Sequence, residues 1–177
     1  MPNQPEGKPQ FSKKIPPGDD RERSVCDQCG FVDYQNPKIV VGSVAVWEEG
    51  VLLCRRAIEP RKGYWTLPAG YLELGESAEE GALREAWEEA RARLSLDRLL
   101  AVYSVPRISQ VQLMFRARLI SESISAGPES EEVGIFQRKD IPWQDIAFPT
   151  VGWALRHFYE TQGRSDFPPF SNPEDGL

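Results

Sequence analysis

The most chemically suggestive part of this 177-residue chain is a group of glutamates that follows a glycine-containing loop. At about 100° per residue of α-helix, Glu85, Glu88 and Glu89 fall within an arc of roughly 100°. Like charges at these spacings cost roughly 0.2–0.5 kcal/mol per pair, and a bound cation would relieve that repulsion. Oxygen ligands favour hard ions such as Mg²⁺ or Mn²⁺, whose coordination is usually completed by substrate phosphates. The pattern therefore indicates phosphoryl or pyrophosphate chemistry.

The helix that must position these carboxylates has a clear start signal. Ser77 is a suitable N-cap, and Glu80 three residues later can complete a capping box. The opposite side of the helix is predicted to face the core and carries Leu83, Ala86, Trp87 and Ala90. A solvated, charge-rich helix has the same periodicity, so the surrounding residues must decide between the two interpretations.

The surrounding residues resemble the signature box of the Nudix hydrolases. The resemblance rests on Gly70, five residues, Glu76, seven residues, and then Arg84-Glu85-Ala86-Trp87-Glu88-Glu89. It implies that the Gly70 carbonyl joins a metal site and that Arg84 pairs with Glu76 to brace the loop. It also implies that the ions of a pyrophosphatase are held by Glu85, Glu88 and Glu89.

One position departs from that box. The family normally has glycine two residues after the last glutamate, whereas this chain has Arg91. Glycine suits the left-handed conformation that closes a helix, and a side chain there costs about 1 kcal/mol. We therefore expect the helix to continue through residues 91–93, with the metal-binding positions unaffected.

Three further segments, residues 34–42, 63–73 and 127–132, resemble a Nudix subgroup related to the plant FAD and ADP-ribose pyrophosphatase. The resemblance implies an α/β fold, an α/β/α sandwich with a mixed sheet, together with dependence on Mg²⁺ or Mn²⁺ and a homodimer. The implied substrate is a nucleoside diphosphate linked to another moiety, of the ADP-ribose or FAD type. Cleavage of its pyrophosphate would release AMP.

Groups outside the box are predicted to complete the site. In this superfamily a base or extra metal ligand often comes from outside the box, and the acidic turn that holds Glu129 and Glu132 is the candidate here. Arg55 and Arg107 are candidate phosphate ligands among the basic residues near the site. Trp65 could stack on an adenine or flavin ring, although burial in the core is the simpler role for it. Other aromatic residues that could stack in this way are Trp47, Tyr103 and Phe148.

Periodicity elsewhere predicts a mixed sheet between helices. Strands are predicted at about 38–48, 51–57, 98–105, 110–120 and 133–138, with an extended segment at 64–73. A closing helix is predicted at 151–162, where Val151, Ala154, Leu155 and Phe158 form one apolar stripe.

Length and composition limit how the chain is organised. With 40% hydrophobic residues, 177 residues suit one core-bearing domain with short extensions. We predict a remnant zinc ribbon at 1–36, a Nudix domain at 37–163 and a C-terminal tail at 164–177. The sequence has no apolar run of about 18 residues and no signal peptide, so we expect a cytoplasmic protein without membrane partners.

A second region also suggests a metal. Cys26 and Cys29 have the spacing of a zinc knuckle, in which two thiolates bind one side of a tetrahedral ion. Resemblance to Nudix hydrolases with an N-terminal zinc ribbon places Asn3 and Glu6 where the other two cysteines would stand. A ribbon without metal is favoured because half of the usual ligands are missing. A zinc shared between two chains, or one completed by other ligands such as His157, stays open.

Other functions are compatible with parts of the pattern. A nucleoside triphosphate pyrophosphohydrolase would use the same box with a different pocket. A non-catalytic ligand-sensing module predicts losses among the box glutamates, and all of them are present. A nucleic-acid-binding partner role is disfavoured by a net charge of −6 and a pI near 5.0. The predicted partner is therefore a small nucleotide.

Overall fold

The computed structural model describes residues 8–174 and separates a first unit, which ends at Asn36, from a second unit, which begins at Pro37. The first unit is an antiparallel sheet in the order β1-β2-β3, formed by β1 (Phe11–Lys14), β2 (Arg23–Cys26) and β3 (Val32–Asp33). Sequence periodicity did not predict these strands, because each is only two to four residues long. Asn3 and Glu6 lie outside the described residues.

The second unit is built on a mixed seven-stranded sheet. Its strands are β4 (Lys38–Trp47), β5 (Gly50–Arg56), β6 (Trp65–Thr66), β7 (Ala69–Tyr71), β8 (Leu94–Val105), β9 (Gln110–Leu119) and β10 (Ser130–Phe136). The main order is β10-β5-β4-β9-β8, while β6 pairs with β5 and β7 with β4. The β4–β9 pair is parallel and the other pairs are antiparallel. The predicted strands are confirmed with shifted boundaries, except that the segment at 64–73 forms two short strands.

Alternating side chains give this sheet a packed surface on both faces. Along β4, Val44 joins one core and Ala45 the other, as adjacent strand residues must. One core includes Trp153 and Leu155 of α2 (Pro149–Glu160), and the other includes Ala86 of α1 (Ala78–Ala90). The α/β/α sandwich is therefore confirmed. Neither of these helices, within the part of the chain that is described, has the length and apolar character needed to cross a bilayer.

Helix α1 begins where the sequence predicts. The Ser77 side chain accepts a hydrogen bond from the Glu80 N–H, and the Glu80 side chain accepts one from the Ser77 N–H. The predicted extension through residue 93 is wrong, because Arg91 is left-handed with φ of 50° and ends the helix at Ala90. Backbone N–H groups of a later loop satisfy the last carbonyls of the helix, so this end is stable without glycine.

The predicted core face of α1 is only half right. Ala86 and Ala90 are buried, but Leu83 and Trp87 are 37% and 44% exposed. The buried stripe instead consists of Gly81, Ala82, Glu85, Ala86, Glu89 and Ala90. Small residues let the helix approach the sheet closely, and this rotation carries two glutamates inward.

The C-terminal segment packs against the second unit. Phe170 forms a parallel bridge with Ala101 of the edge strand β8, and Phe167 is buried in the core beside α2. The Phe170 N–H donates to the Leu100 carbonyl at 2.9 Å, and the Val102 N–H donates to the Phe170 carbonyl at 2.9 Å. The tail thus covers part of an otherwise open sheet edge.

Candidate active site

The glutamates of α1 line a cleft of about 1000 Å³ in the second unit. Glu85 and Glu89 are buried, with 8% and 5% exposure, whereas Glu88 is exposed. The predicted site residues that line this cleft are Gly70, Arg84, Glu85, Glu88, Glu89, Arg107 and Glu129. The structure therefore gathers the signature box and two groups outside it around one space.

Burial makes the two inner carboxylates unusual. Glu89 accepts a hydrogen bond of 3.3 Å from the Ala69 N–H, and burial together with the neighbouring Glu85 raises the pKa of Glu89 to about 8. Burial also raises the pKa of Glu85, although Arg84 opposes this shift. Two buried carboxylates side by side are costly unless a cation compensates them.

Gly70 permits the close approach of the loop to this pair. A side chain at Gly70 would overlap the carboxylate of Glu85. The Gly70 backbone is held in place by pairing with Val41 of the neighbouring strand. A larger residue at this position would have to displace the Glu85 carboxylate from the loop.

Arg84 braces the entrance to α1. Its guanidinium binds both carboxylate oxygens of Glu76, at 3.0 and 2.7 Å, and donates to the Tyr71 carbonyl at 2.9 Å. It also binds Glu85 at 2.7 Å and Glu88 at 2.9 Å. Hydrogen bonding to Arg84 lowers the pKa of Glu76 to about 2. Arg84 thus ties the loop to the helix as the family resemblance implies.

The residues fit a hard divalent cation in type. Carboxylates and a backbone carbonyl are the oxygen donors that Mg²⁺ and Mn²⁺ prefer. Because burial raises the pKa of Glu89, a nearby positive charge would favour its ionised form. Within residues 8–174, no three acidic, histidine or cysteine side chains already form a coordination shell. In this arrangement Arg84 forms ion pairs with Glu85 and Glu88.

The loop that carries Glu129 is attached to the end of α1. The Ser125 and Gly127 N–H groups donate to the Ala90 and Glu89 carbonyls, each at 2.9 Å. Any side chain at Gly127 would overlap the Glu88 carbonyl oxygen. This contact sets the position of Glu129 relative to the carboxylates of the helix.

Three predicted site residues do not line the cleft. Arg55 donates to the Gly63 carbonyl at 3.0 Å and lies 3.6 Å from the exposed Glu132, outside the cleft. Trp65 packs edge to face against Phe136, with ring centroids 4.8 Å apart, and belongs to the core. These placements follow from strand alternation, which points neighbouring residues to opposite faces.

The same alternation brings Arg56 to the cleft in place of Arg55. The Arg56 Nε donates to the Pro60 carbonyl at 2.8 Å, and its guanidinium lies 5.2 Å from the centre of the Phe148 ring. In the described part of the chain, no carboxylate lies within ion-pair distance of Arg56. A signal was available in the sequence, because Arg56 has the same parity on β5 as the buried Cys54 beneath α1.

The structure also adds residues that the sequence did not single out for substrate binding. Uncharged polar side chains on the β7 and β9 strands line the cleft, namely Tyr71, Gln110 and Gln112. Phe148, one of the aromatic candidates, lines it as well, whereas Tyr103 is fully buried and Trp47 packs beside the core. A period-two pattern on β9 is the only sequence signal for the glutamines, and it does not indicate which face they occupy.

The cysteine knuckle in the first unit has well-formed local geometry. The Gly30 N–H donates to the Cys26 carbonyl at 2.9 Å, and the Cys26 N–H donates to the Phe31 carbonyl at 2.8 Å. Backbone N–H groups of Cys29 and Gln28 lower the pKa of the Cys26 thiol. Two thiolates are only half of a tetrahedral set, and residues 1–36 contain no other cysteine or histidine. A ribbon without zinc therefore remains the prediction for this unit.

His157, the other possible zinc ligand, is engaged within the second unit. Its Nδ1 lies 2.7 Å from the Tyr103 hydroxyl, and its ring stacks on Phe170 with centroids 4.2 Å apart. Burial lowers the pKa of His157. These contacts give His157 a packing role that requires no metal.

Comparison with known families covers nearly the whole chain. A family described as NUDIX domain matches residues 36–161, and the zinc-ribbon family described as Nudix N-terminal matches residues 7–35. An ADP-ribose pyrophosphatase of Methanocaldococcus jannaschii is 31% identical over 113 residues, which cover 62% of this chain and 67% of that protein. A MutT-like protein of Streptomyces ambofaciens is 41% identical over 80 residues, or 45% of this chain and 51% of that protein.

A solved structure extends this similarity to both units. The crystal structure of a NUDIX hydrolase from Nitrosomonas europaea has a TM-score of 0.88 and 42% identity. The match covers 97% of each chain. The matched segments thus span two thirds of the archaeal relative, half of the Streptomyces protein and almost all of the Nitrosomonas protein.

Proposed function

The chain belongs to the Nudix hydrolase family and has that family's N-terminal zinc-ribbon region, and we propose that it cleaves a nucleoside diphosphate linked to another moiety. The substrate is of the ADP-ribose or FAD type, and AMP is one product. The observation that carries the proposal is the pair of buried carboxylates in a large cleft, where Glu85 packs against Gly70 and Glu89 accepts a hydrogen bond from the Ala69 N–H. The name of the archaeal relative, ADP-ribose pyrophosphatase, supports the substrate class.

Catalysis depends on Mg²⁺ or Mn²⁺ held by the Gly70 carbonyl and the carboxylates of Glu85, Glu88 and Glu89. Such an ion, when bound, stabilises charge on the attacking and leaving oxygens and lowers the pKa of a water molecule. Arg84 already holds Glu76 through a bidentate pair that does not involve Glu85 or Glu88. The loop therefore stays braced while the two carboxylates turn towards the cation.

Arginine side chains of the cleft bind the diphosphate. Arg56 is held by the Pro60 carbonyl and has no competing carboxylate within ion-pair distance among the described residues, so its charge is available to a phosphate. Arg107 lines the cleft and supplies a second positive charge. Together they offset the repulsion between an anionic substrate and the acidic helix.

Glu129 accepts the proton of the attacking water on its carboxylate. Its loop is fixed on α1 through Gly127, which places this carboxylate beside the same cleft as Glu85 and Glu89. The water oxygen bonds to one phosphorus, and the bridging oxygen leaves with the other phosphate. The products are two monophosphates, AMP together with ribose 5-phosphate or FMN.

A substrate panel tests the proposal. Purified protein with Mg²⁺ or Mn²⁺ is incubated with ADP-ribose, FAD, NADH, diadenosine polyphosphates and nucleoside triphosphates, and products are identified by chromatography. We expect AMP from ADP-ribose or FAD, and no AMP when Glu88→Gln replaces the wild type. Cleavage of triphosphates alone would overturn the linked-diphosphate assignment, and inactivity on the whole panel would favour a ligand-sensing module.

The assembly proposed for the enzyme is a homodimer, on the basis of the family resemblance. Light scattering coupled to size exclusion tests this directly. A mass of twice 20.0 kDa supports the dimer, and a mass of 20.0 kDa rejects it.

A further inference from the structure

One wall of the cleft consists of uncharged hydrogen-bonding side chains that have no role in the proposed hydrolysis step. Gln110 and Gln112 extend from β9, and Tyr71 extends from β7. The Nε2 atom of Gln112 lies 3.2 Å from Oε1 of Gln110, and Nε2 of Gln110 lies 3.2 Å from the Tyr71 hydroxyl. These three side chains therefore form one connected row.

Strand pairing places the side chains of this row on one face of the sheet. Val40 of β4 pairs with Tyr71 on one side and with Gln112 on the other, so Val40, Tyr71 and Gln112 stand on the same face. Gln110 lies two residues before Gln112 on β9 and therefore stands on that face as well. The Lys38 ammonium lies 4.8 Å from the centre of the Tyr71 ring and steadies it. The wall thus combines two amides with an aliphatic and an aromatic surface.

The wall lines the same cleft as the predicted metal site. Tyr71 follows Gly70 in the chain, and its carbonyl accepts the hydrogen bond from Arg84. Because all of these residues line one cleft, a group attached to a diphosphate that is bound against Gly70 can reach Tyr71 and Gln112. The arginines are better ligands for the phosphates than the amides are, because the amides carry no charge.

The chemistry of the row matches the edge of a nucleobase. A carboxamide presents a donor and an acceptor side by side, which is the complement of adjacent donor and acceptor atoms on a base. The internal row uses one N–H of each amide and leaves Oε1 of Gln112 and a second N–H free. Val40 and the Tyr71 ring offer apolar surface to the base.

We propose that Gln110 and Gln112 form the subsite that binds the nucleobase of the substrate. The inference rests on the proposed function, because it names the part of the nucleotide that lies at this end of the cleft. Gln112 makes the direct hydrogen bonds to the base. Gln110 orients the Gln112 amide, because Oε1 of Gln110 accepts a hydrogen bond from Nε2 of Gln112. Tyr71 terminates the row and fixes Gln110.

Binding of AMP and of ribose 5-phosphate separates base recognition from phosphate recognition. We would titrate each ligand by calorimetry into wild type, Gln112→Met and the control Gln162→Met, whose exposed side chain does not line the cleft. Methionine keeps the length of the side chain and removes its hydrogen bonds. We expect Gln112→Met to weaken AMP roughly tenfold and to leave ribose 5-phosphate unchanged. Unchanged AMP affinity, or equal losses for both ligands, would overturn the subsite.

Kinetics distinguish a failure of this subsite from a failure of the proposed function. If wild type cleaves ADP-ribose, Gln112→Met should raise KM roughly tenfold while kcat changes little. Cleavage with an unaltered KM rejects the subsite alone. If wild type cleaves no linked diphosphate but AMP binding still depends on Gln112, the proposed function fails and the subsite stands.

Discussion

The two units of the chain carry two motifs associated with metals, and they differ in how complete their ligand sets are. The cleft of the second unit keeps every oxygen donor of the signature box, including the buried carboxylates of Glu85 and Glu89. The ribbon of the first unit keeps its fold and one knuckle, Cys26 and Cys29, but no further cysteine or histidine.

This difference leads to opposite expectations for the two units. In the ribbon, the Lys14 ammonium and the Ser12 hydroxyl both bind the Asp27 carboxylate at 2.6 Å, which ties β1 to the knuckle through side-chain contacts. In the cleft, burial raises the pKa of Glu85 and of Glu89, and a cation would favour their ionised forms. We therefore expect activity to require a divalent ion and the ribbon to require none.

Removal of divalent metal is expected to have the largest effect. Treatment with a chelator followed by desalting should abolish release of AMP, and Mg²⁺ or Mn²⁺ should restore it.

Metal analysis by mass spectrometry should find far less than one zinc per chain in the purified protein. One zinc for every two chains would support a shared site between subunits, and one zinc per chain would contradict the metal-free ribbon.

Replacement of the inner carboxylate should come next in size. We expect Glu89→Gln to reduce kcat by about two orders of magnitude or more, because the neutral amide cannot hold the ion as a carboxylate does. The melting temperature should stay the same or rise, since a poorly compensated buried acid is removed. Glu79→Gln, on the exposed first turn of the same helix, is the control and should retain activity. A fully active Glu89→Gln enzyme would contradict the assignment of Glu89 as a metal ligand.

A smaller loss is expected when the loop of Glu129 is displaced. Gly127→Ala places a methyl group against the Glu88 carbonyl and should cost about 1–3 kcal/mol in the free energy of unfolding. We expect kcat to fall more than KM rises, because Glu129 moves relative to the helix. Gly152→Ala on α2 is the matched control, since its new methyl group meets only Arg156 at 3.8 Å. Equal stability and activity in both variants would show that the close contact does not position the loop.

The smallest effect is expected in the ribbon. A double variant with Cys26→Ser and Cys29→Ser should keep kcat and KM within about twofold of wild type, because these thiols take no part in the cleft. Steady-state kinetics and metal analysis on the same preparation check this. A large loss of activity together with loss of bound zinc would reverse the contrast between the two units.

The helix that carries the glutamates was the easiest part to predict. The capping box at Ser77 and Glu80 sets the phase of α1, and a fixed spacing then places Glu85 and Glu89 on one side of the helix. Sandwich architecture follows from alternation along the strands, as Val44 shows by joining the core opposite to that of its neighbour. These features depend on local periodicity, which a sequence records directly.

Features that depend on tertiary contacts were predicted less well. Trp87 was expected in the core, but the small residues of α1 approach the sheet instead and leave its ring exposed. Arg91 ends the helix because a distant loop satisfies the last carbonyls. The choice of Arg56 over Arg55 depends on which face of β5 meets the cleft. None of these partners is adjacent in the sequence.

The central claim is that the carboxylates of α1 hold a divalent cation, and Mn²⁺ titration followed by electron paramagnetic resonance tests it most directly. Wild type and the Cys26→Ser, Cys29→Ser double variant should bind Mn²⁺ equally. Glu89→Gln should bind it at least about tenfold more weakly. Equal Mn²⁺ affinity in wild type and Glu89→Gln would contradict the claim.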